Sequence, residues 1–219
     1  MANKTYGIMF KDEMIRAYVQ KKKTQTRRLR GLETVNSTPA DWSFRRIVVD
    51  PRGQAGAEFK NLVSHECLIV RLPYGDRRNT LWFRETWRAW EDHDGTDYLL
   101  YRADNAKFQP FASDDNSWNL LAGRFDKWQP SMLMPRWASR FWNVPISGVR
   151  VERLHEITVA DALAEGVTGP NPRQAYFELW DQINGTTYPA QSNPWLFVYE
   201  FPVYDPRQVS KIHPHQEDL

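Results

Sequence analysis

Apolar residues recur at helical spacing near the start of the chain, and this pattern predicts a helix over residues 12–22. Asp12 is placed to cap the start of that helix, and the polar and β-branched residues at 24–26 are expected to end it. The apolar stripe of the helix consists of Met14, Ile15, Tyr18 and Val19. We therefore expect a short amphipathic helix in this part of the chain.

Runs of β-branched and aromatic residues, bounded by turn residues, predict five short strands. The predicted strands are residues 67–72, 81–87, 98–101, 144–154 and 195–203. Two further stretches lack a clear period: residues 31–62 contain prolines and several glycines, and residues 91–128 are rich in Asp and Asn. We interpret both stretches as insertions, and the first of them as a loop.

Two later helices carry recognisable end residues. Thr158 and Asp161 form a capping-box pattern, and Gly166 stands where a glycine commonly ends a helix. The next helix begins with Asn171–Pro172 and ends at Asn184–Gly185. Short strands with a few short helices favour an α+β, barrel-like domain over a doubly wound sheet.

The length of 219 residues favours one elaborated domain, which we assign to residues 1–205. The polar tail at 206–219, which contains His213 and His215, is expected to be mobile. Two histidines without further ligands do not make a metal site, so no metal is predicted. The sequence contains no Walker loop and no glycine-rich dinucleotide motif, so no cofactor is predicted either.

Composition limits the cellular compartment that we expect and the kinds of site that the chain can form. The single cysteine, Cys67, excludes a disulfide framework and a cysteine-based zinc site, and its place in an apolar strand predicts a buried, inert thiol. The first residues hold no apolar stretch of signal-peptide length, and no uncharged apolar run approaches the ~20 residues of a spanning helix. We therefore expect a cytoplasmic protein that has no membrane partner.

Basic residues are clustered although the formal net charge is only +2. Six of the ten residues at 21–30 are Lys or Arg, and smaller basic pairs recur later in the chain. Clustering without a large net charge favours a local anion site over tight nonspecific binding of DNA. The alternative is that the cluster forms an ordinary solvated face.

The basic cluster includes the run KKKTQTRR at residues 21–28, directly after the first predicted helix. This run resembles the signature of the ASCH family. Further segments resemble a phage- and prophage-encoded branch of ASCH-like proteins, namely residues 81–87, 128–131, 134–140 and 193–201. The resemblance implies a PUA-like small β-barrel with flanking helices and the two insertions. It also implies recognition of RNA or modified nucleobases, in the cytoplasm of a bacterial host if the gene is phage-encoded.

Two positions depart from the family pattern. Lys21 stands where the family has a glycine, which puts the usual positive-φ turn after the helix in doubt. The Gly-Asp pair that commonly precedes the strand beginning at Leu81 is displaced to Gly75–Asp76.

Small ASCH enzymes include amidohydrolases that remove the acetyl group of N4-acetylcytidine with a Lys, a Thr and a Glu. By resemblance these roles fall on Lys23, Thr26 and Glu165. A threonine hydroxyl needs a base, and Lys23 can act as one only if burial or neighbouring basic residues lower its pKa. The negative end of the helix dipole disfavours the charged form of Glu165, which suits a group that passes a proton to a leaving amine.

The same residues allow a simpler interpretation. Residues three apart share a helix face or a turn but not a strand face, so Lys23 and Thr26 cooperate only if the helix continues or the chain turns there. Alternatively, Lys23 and Thr26 form a phosphate-binding turn, and Glu165 pairs with one of the arginines.

The strand predicted at 81–87 contributes a second group of candidates. Glu85 and Trp87 share one face of this strand, where the indole can stack a base beside the carboxylate, and Arg84 takes the other face. The basic and aromatic residues at 136–140 form a second lip of the same cleft. The alternatives are that Trp87 belongs to the core and that the arginines form structural pairs with carboxylates. The predicted binding residues are Lys22, Arg27, Arg28, Arg84, Glu85, Trp87, Arg136 and Trp137.

Three functions remain open from the sequence. The leading hypothesis is recognition of RNA or a modified pyrimidine nucleoside, with hydrolysis of an N-acyl group of cytidine as the implied activity. One alternative is a metal-independent ribonuclease that cuts single strands at the basic turn. The other is a non-catalytic reader that flips out a modified base.

Overall fold

The computed structural model describes residues 4–93, 95–108 and 127–205, and in these ranges the protein is a mixed α+β structure. The helices are α1 Asp12–Val19, α2 Glu33–Ser37, α3 Val159–Ala164 and α4 Pro172–Asn184. The strands are β1 Thr5–Met9, β2 Gln25–Arg28, β3 Trp42–Val49, β4 Ala55–Asn61, β5 Cys67–Arg71, β6 Thr80–Arg84, β7 Trp87–Glu91, β8 Asp97–Tyr101, β9 Lys107–Phe108, β10 Val144–Pro145, β11 Gly148–Arg153 and β12 Trp195–Glu200.

The strands of the described ranges form four three-stranded sheets, with the orders β1-β6-β10, β11-β12-β2, β3-β4-β5 and β7-β8-β9. The last three of these sheets are antiparallel. None of the four closes into a barrel within the described residues. The predicted α+β class is therefore confirmed, and the PUA-like barrel stays a prediction.

The described chain divides into two compact units, each built from separate stretches of sequence. The first unit holds residues 4–6, 22–80 and 145–203. The second holds residues 7–21, 81–93, 95–108, 127–144 and 204–205. The assignment of residues 1–205 to a single domain stays a prediction.

The core of the first unit joins residues of β12, α3 and α4. β12 is the central strand of its sheet, and its residues 196–199 are fully buried. Tyr176 and Trp180 of α4 belong to the same buried cluster as Leu196 of β12 and Ala162 of α3. The two helices therefore cover the sheet that carries the basic strand β2.

The predicted ends of these two helices are confirmed. The Thr158 hydroxyl accepts a hydrogen bond from the Asp161 N–H at 3.0 Å, and the Asp161 carboxylate accepts one from the Thr158 N–H at 3.0 Å. Gly166 follows α3 with a φ of 91°, as expected of a glycine that ends a helix. Asn171 caps α4 at the Gln174 N–H. Such contacts lie within one turn of chain, which is why the sequence predicts them.

The prediction of a loop at residues 31–62 is wrong. α2 and the hairpin of β3 and β4 fill most of this segment, and β5 pairs with β4 to complete the sheet. The hairpin buries Phe59 and Ala57 and leaves Arg46 exposed. A β-bulge between Phe44 and Arg46 breaks the alternation of buried and exposed residues, so no clean period of two is visible in the sequence.

Two predicted strands are each divided in the structure. Glu85 and Thr86 separate β6 from β7, so residues 81–87 are not one strand. Residues 146–147 likewise separate β10 from β11 within the predicted strand at 144–154. In both places two separate strands therefore orient the side chains, and the alternation expected of one continuous strand does not hold across the break.

The second predicted insertion, residues 91–128, lies only partly within the described ranges. Its described part contains β8 and β9, and these strands continue the sheet that begins with β7. Residues 109–126 lie outside the described residues. So does the predicted mobile tail at 206–219, with His213 and His215.

Cys67 also differs from its prediction. It begins β5 with its side chain exposed, so the expected buried thiol is wrong. β5 lies at the edge of its sheet and alternates between exposed and buried positions, with Val70 turned inward. Separately, no helix of the described ranges is long and apolar enough to cross a membrane.

The turn after α1 keeps the conformation that the family pattern predicts for a glycine. α1 ends at Val19, and Asp12 lies inside its first turn without capping it, because the cap position is Lys11. Lys21 nevertheless has a φ of 62°. A left-handed conformation costs a residue with a Cβ about 1–2 kcal/mol, so this turn holds local strain.

Replacing Lys21 by glycine is therefore expected to stabilise the protein. We predict that Lys21→Gly raises the free energy of unfolding by about 0.5–1 kcal/mol, because relief of the strain exceeds the entropy that glycine adds to the unfolded chain. Urea denaturation measures this difference. Lys22→Gly is the control, since Lys22 has no positive φ, and it is expected to destabilise. Equal destabilisation by both changes would contradict the strain argument.

Candidate functional site

Lys23 and Glu165 are in direct contact in the first unit. The Lys23 Nζ donates to Glu165 Oε2 at 2.7 Å and to the Glu165 main-chain oxygen at 2.9 Å. The two side chains are only 1% and 4% exposed. Glu165 reaches this position because it follows α3, where the chain turns at Gly166 and bridges back to Lys23.

Arg27 joins the same group from β2. Its Nη1 donates to Glu165 Oε1 at 3.0 Å, and its Nη2 donates to Glu152 Oε1 at 2.6 Å. The Arg27 side chain is 0% exposed. Its guanidinium carbon also lies 5.6 Å from the centre of the Tyr176 ring. Arg27 is therefore fully engaged inside the protein.

Strand alternation assembles the remaining members. Arg27 of β2 is in register with Val198 of β12, which is in register with Arg150 of β11, so these side chains share one face of the sheet. Gln25 lies two residues before Arg27 on that face and donates to Asp161 Oδ1 at 3.0 Å. Strand pairing therefore brings together residues that are distant in sequence.

Arg150 connects three carboxylates at the edge of this group. It donates to Glu152 Oε2 at 2.8 Å and to Asp161 Oδ1 at 2.5 Å, and it also pairs with Glu200. We call the whole group the ion cluster, which is buried around Lys23, Arg27 and Glu165 and partly exposed at Arg150 and Glu200. Its charged members are three cations and four carboxylates. They are Lys23, Arg27, Arg150, Glu152, Asp161, Glu165 and Glu200.

The surroundings of Lys23 change its proton affinity. Burial lowers the pKa of Lys23 below its ordinary value, because the charged ammonium loses its hydration. The negative charge of Glu165 opposes this effect, and the guanidinium groups of Arg28 and Arg27 add to it. The pKa of Lys23 is shifted in the direction that the role of a base requires, and the role itself stays a prediction.

Thr26 is buried, but the alternation of β2 turns it away from the ion cluster. Gln25 and Arg27 flank Thr26 on the strand, and both point into the cluster, so Thr26 points to the opposite face. Lys23 precedes the strand and is followed by Thr24, whose N–H donates to the Ala164 oxygen at 2.8 Å. The pairing of Lys23 with Glu165 is thus observed, whereas cooperation of Lys23 with Thr26 stays a prediction.

The predicted basic run does not form one surface. Lys22 is exposed and Arg28 is partly buried, whereas Lys23 and Arg27 are buried. Arg27 is occupied by ion pairs with Glu152 and Glu165, and its predicted role in binding nucleic acid stays a prediction. Arg150, Glu152 and Asp161 were missed, although alternating charges in β11 are the pattern of a polar strand face.

In the second unit, Glu85 forms a structural pair. Arg140 donates to both Glu85 carboxylate oxygens, at 2.8 Å each, and also binds Asp104. Glu85 is 1% exposed, and burial raises its pKa while Arg140 opposes the rise. Glu85 and Arg140 therefore form a structural arginine–carboxylate pair, which is the alternative that the sequence left open. The Glu85 carboxylate is not accessible to a nucleobase.

Trp87 is a core residue in the structure. It is 0% exposed and packs with Ala89, Leu99 and Tyr101. Its ring meets Trp137 edge-on, with the centroids 6.3 Å apart. The prediction that Trp87 stacks a base is therefore wrong for this conformation, because neither face of its ring is open.

The two remaining arginines of the prediction lie near tryptophans. Arg84 donates to the main-chain oxygens of Met132 and Met134, and its guanidinium carbon is 5.1 Å from the centre of the Trp82 ring. Arg136 is exposed and lies 4.3 Å from the centre of the Trp142 ring. Both tryptophans were absent from the predicted set.

The predicted site residues are divided between the two units. Lys22, Lys23, Thr26, Arg27, Arg28 and Glu165 belong to the first unit, and Arg84, Glu85, Trp87, Arg136 and Trp137 belong to the second. The single cleft that the sequence predicts stays a prediction.

Comparison of the chain with protein-family models, curated proteins and solved structures found no match.

Arg27 is expected to be essential for the stability of the first unit. Arg27→Met removes the buried guanidinium that Glu152 and Glu165 share and leaves them only Arg150 and Lys23 as partners, so we predict a loss of about 3 kcal/mol in the free energy of unfolding. Arg46→Met is the matched control, because Arg46 makes an ion pair of 2.7 Å with Glu58 while 72% exposed. That change is expected to cost less than about 1 kcal/mol. Similar losses for both variants, measured by urea denaturation, would contradict the role of burial.

Asp161 makes the stability of the protein dependent on pH. Burial raises the pKa of Asp161, but hydrogen bonds from Thr158 and Gln25 and the charge of Arg150 outweigh it, and the net pKa lies well below its usual range. Its contribution is therefore complete above the unfolded-state pKa of about 4 and is lost as the pH falls toward the lower folded-state pKa.

We therefore expect Asp161→Asn to be less stable than the wild type at neutral pH. It should also lose less stability than the wild type between about pH 5 and pH 2. Unfolding midpoints measured across this range test the expectation, and Asp41→Asn, outside the cluster, should follow the wild type. If the unfolding midpoints of the wild type and of Asp161→Asn change with pH in parallel, Asp161 does not contribute to the pH dependence of stability.

Proposed function

We propose that the chain is an ASCH-type protein with a PUA-like fold that recognises RNA or a modified pyrimidine nucleoside and removes an N-acyl group from cytidine. One observation carries the proposal. Lys23 and Glu165, to which the family resemblance assigns catalytic roles, are 142 positions apart in sequence and are joined by a buried hydrogen bond of 2.7 Å. The lowered pKa of Lys23 supports its assignment as a base.

Each group has a definite role in the proposed reaction. Lys23 passes its ammonium proton to Glu165, and the resulting neutral amine takes a proton from a water molecule, whose oxygen adds to the acyl carbonyl carbon. Collapse of the tetrahedral intermediate breaks the C–N bond, and the leaving amino group of cytidine takes a proton delivered through Glu165. The products are a carboxylic acid and cytidine. Because Thr26 faces away from the cluster, water rather than the Thr26 hydroxyl is the attacking group in this scheme.

The burial of the pair sets a condition on this chemistry. Lys23 is 1% exposed and its partner Glu165 also binds Arg27, so substrate reaches Lys23 only when the cluster opens locally. A substrate that supplies its own hydrogen bonds to Arg27 or Lys23 offsets part of the cost of that opening.

The same pairing favours a second candidate function, a reader without chemistry. Glu165 accepts from both Lys23 and Arg27 at ordinary ion-pair distances, as it would in a purely structural cluster. In a reader, the cluster holds β2 and α3 in place, and ligand binding depends on other residues. The two candidates differ in whether product is formed.

Incubation with N4-acetylcytidine and, separately, with a mixed-sequence RNA oligomer distinguishes the candidates. Mass spectrometry is expected to detect cytidine from the nucleoside and an intact oligomer from the RNA. Cleaved RNA would indicate a ribonuclease. Binding of ligand without any product would indicate a reader.

Lys23→Arg is the decisive variant. Arginine keeps the positive charge but does not release its proton near neutral pH, so we predict a fall in kcat of about 10²–10⁴-fold with a dissociation constant within a few-fold of the wild type. Lys4→Arg, an exposed change in the first unit, is the matched control and should be silent. Circular dichroism checks that both variants are folded. A folded Lys23→Arg protein with wild-type turnover would falsify the base assignment.

A further inference from the structure

The arginines of the second unit fall into two classes according to their partners. Arg16, Arg102 and Arg140 pair with carboxylates. Arg84, Arg88 and Arg136 have no carboxylate partner among the described residues and instead lie against tryptophan rings. The second class therefore leaves positive charge uncompensated within the described part of this unit.

One stack of this class is formed by Arg136, Trp142, Trp82 and Arg84. The two indoles are stacked, with centroids 6.2 Å apart and planes at 19°. An arginine covers each indole, Arg136 at 4.3 Å and Arg84 at 5.1 Å from the ring centre. Trp82 and Arg84 alternate with the buried Phe83 on β6, so the stack lies on the outer face of that strand.

A second stack is formed by Trp90, Arg88 and Trp128. The Arg88 guanidinium carbon lies 4.6 Å from one indole centre and 4.7 Å from the other, so the cation is held between two rings. Arg88 and Trp90 alternate with the buried Ala89 on β7, and Trp128 is 36% exposed. Part of the Trp128 indole is therefore accessible at the surface.

Hydrogen-bond donors are left over in both stacks. Nε of Arg84, Nε of Arg88 and Nε1 of Trp142 are buried and have no acceptor among the described residues. An unsatisfied buried donor is unfavourable, so a ligand whose acceptors reach these groups after a small side-chain shift would gain from pairing with them. We call the two stacks together the arginine–tryptophan surface.

We propose that the arginine–tryptophan surface binds single-stranded polynucleotide. Bases stack on its accessible planar groups, the Trp128 indole and the Arg136 guanidinium, and its arginines without a carboxylate partner contact the phosphates. Every base has a π-face, so this mode of binding requires no particular sequence. The inference depends on residues of the second unit alone and does not require hydrolysis at Lys23.

Fluorescence anisotropy with labelled, unstructured oligonucleotides of roughly 12 nucleotides tests the proposal. Single-stranded RNA is expected to bind more tightly than duplex RNA of the same length, because bases in a duplex are already stacked. Equal affinity for single-stranded RNA and DNA would show that the protein contacts only bases and phosphates. Tighter binding of RNA than of DNA would indicate additional contacts to the 2′-hydroxyl. Either result supports the proposal, whereas no binding, or preference for the duplex, overturns it.

The variants separate stacking from charge. Trp128→Ala is expected to weaken binding about fivefold to a hundredfold, and Trp128→Phe to restore much of it, because phenylalanine keeps a ring to stack upon. Arg88→Lys keeps the charge but loses the planar group and should also weaken binding. Arg102→Gln removes one charge from an arginine that is 48% exposed and paired with Asp12, and it should be nearly silent.

Two outcomes of the variant series would overturn the proposal. One is wild-type affinity in folded Trp128→Ala and Arg88→Lys. The other is an equal loss in Arg102→Gln, which would show that net charge alone drives binding. The binding measurement involves no turnover, so failure of the hydrolase proposal leaves this result unaffected.

Discussion

Burying ionised side chains together costs several kcal/mol for each charge unless every charge finds a partner of opposite sign. The first unit meets this requirement with Arg27, whose guanidinium binds Glu152 of β11 and Glu165 at the end of α3. Neither element can shift without leaving a buried charge alone. The paired positions of β2, β11 and α3 thus depend on one side chain, and the position of Lys23 depends on them in turn.

The same burial lowers the pKa of Lys23 but does not by itself make Lys23 a catalytic residue. The hydrogen bond from the Lys23 Nζ to Glu165 opposes the pKa shift that burial causes. What decides between a structural and a catalytic role is access, because water and substrate must reach Nζ. Burial lowers the pKa and also restricts entry, so the two properties that a catalytic lysine needs oppose each other here.

The sequence predicts local features well and long-range features poorly. The capping box at Thr158 and the glycine at Gly166 involve residues within one turn, so their positions follow from the residue types. The hairpin at 31–62 was missed because its strands are held by pairing with β5 and are interrupted by a bulge. The contact of Lys23 with Glu165 was anticipated by family resemblance, since no periodicity relates residues so far apart.

Clustering of basic residues in the sequence does not predict where positive charge is displayed. Arg27 belongs to the densest basic run and is fully buried with two carboxylates, because strand pairing brings acidic residues of distant segments beside it. Arg88 has fewer basic neighbours, yet within the described residues it has aromatic partners and no acid. An indole stabilises a cation without neutralising it. The partners that the fold supplies therefore determine which arginines lack a carboxylate, and at Arg84 and Arg88 the partner is a tryptophan two residues away on the same strand.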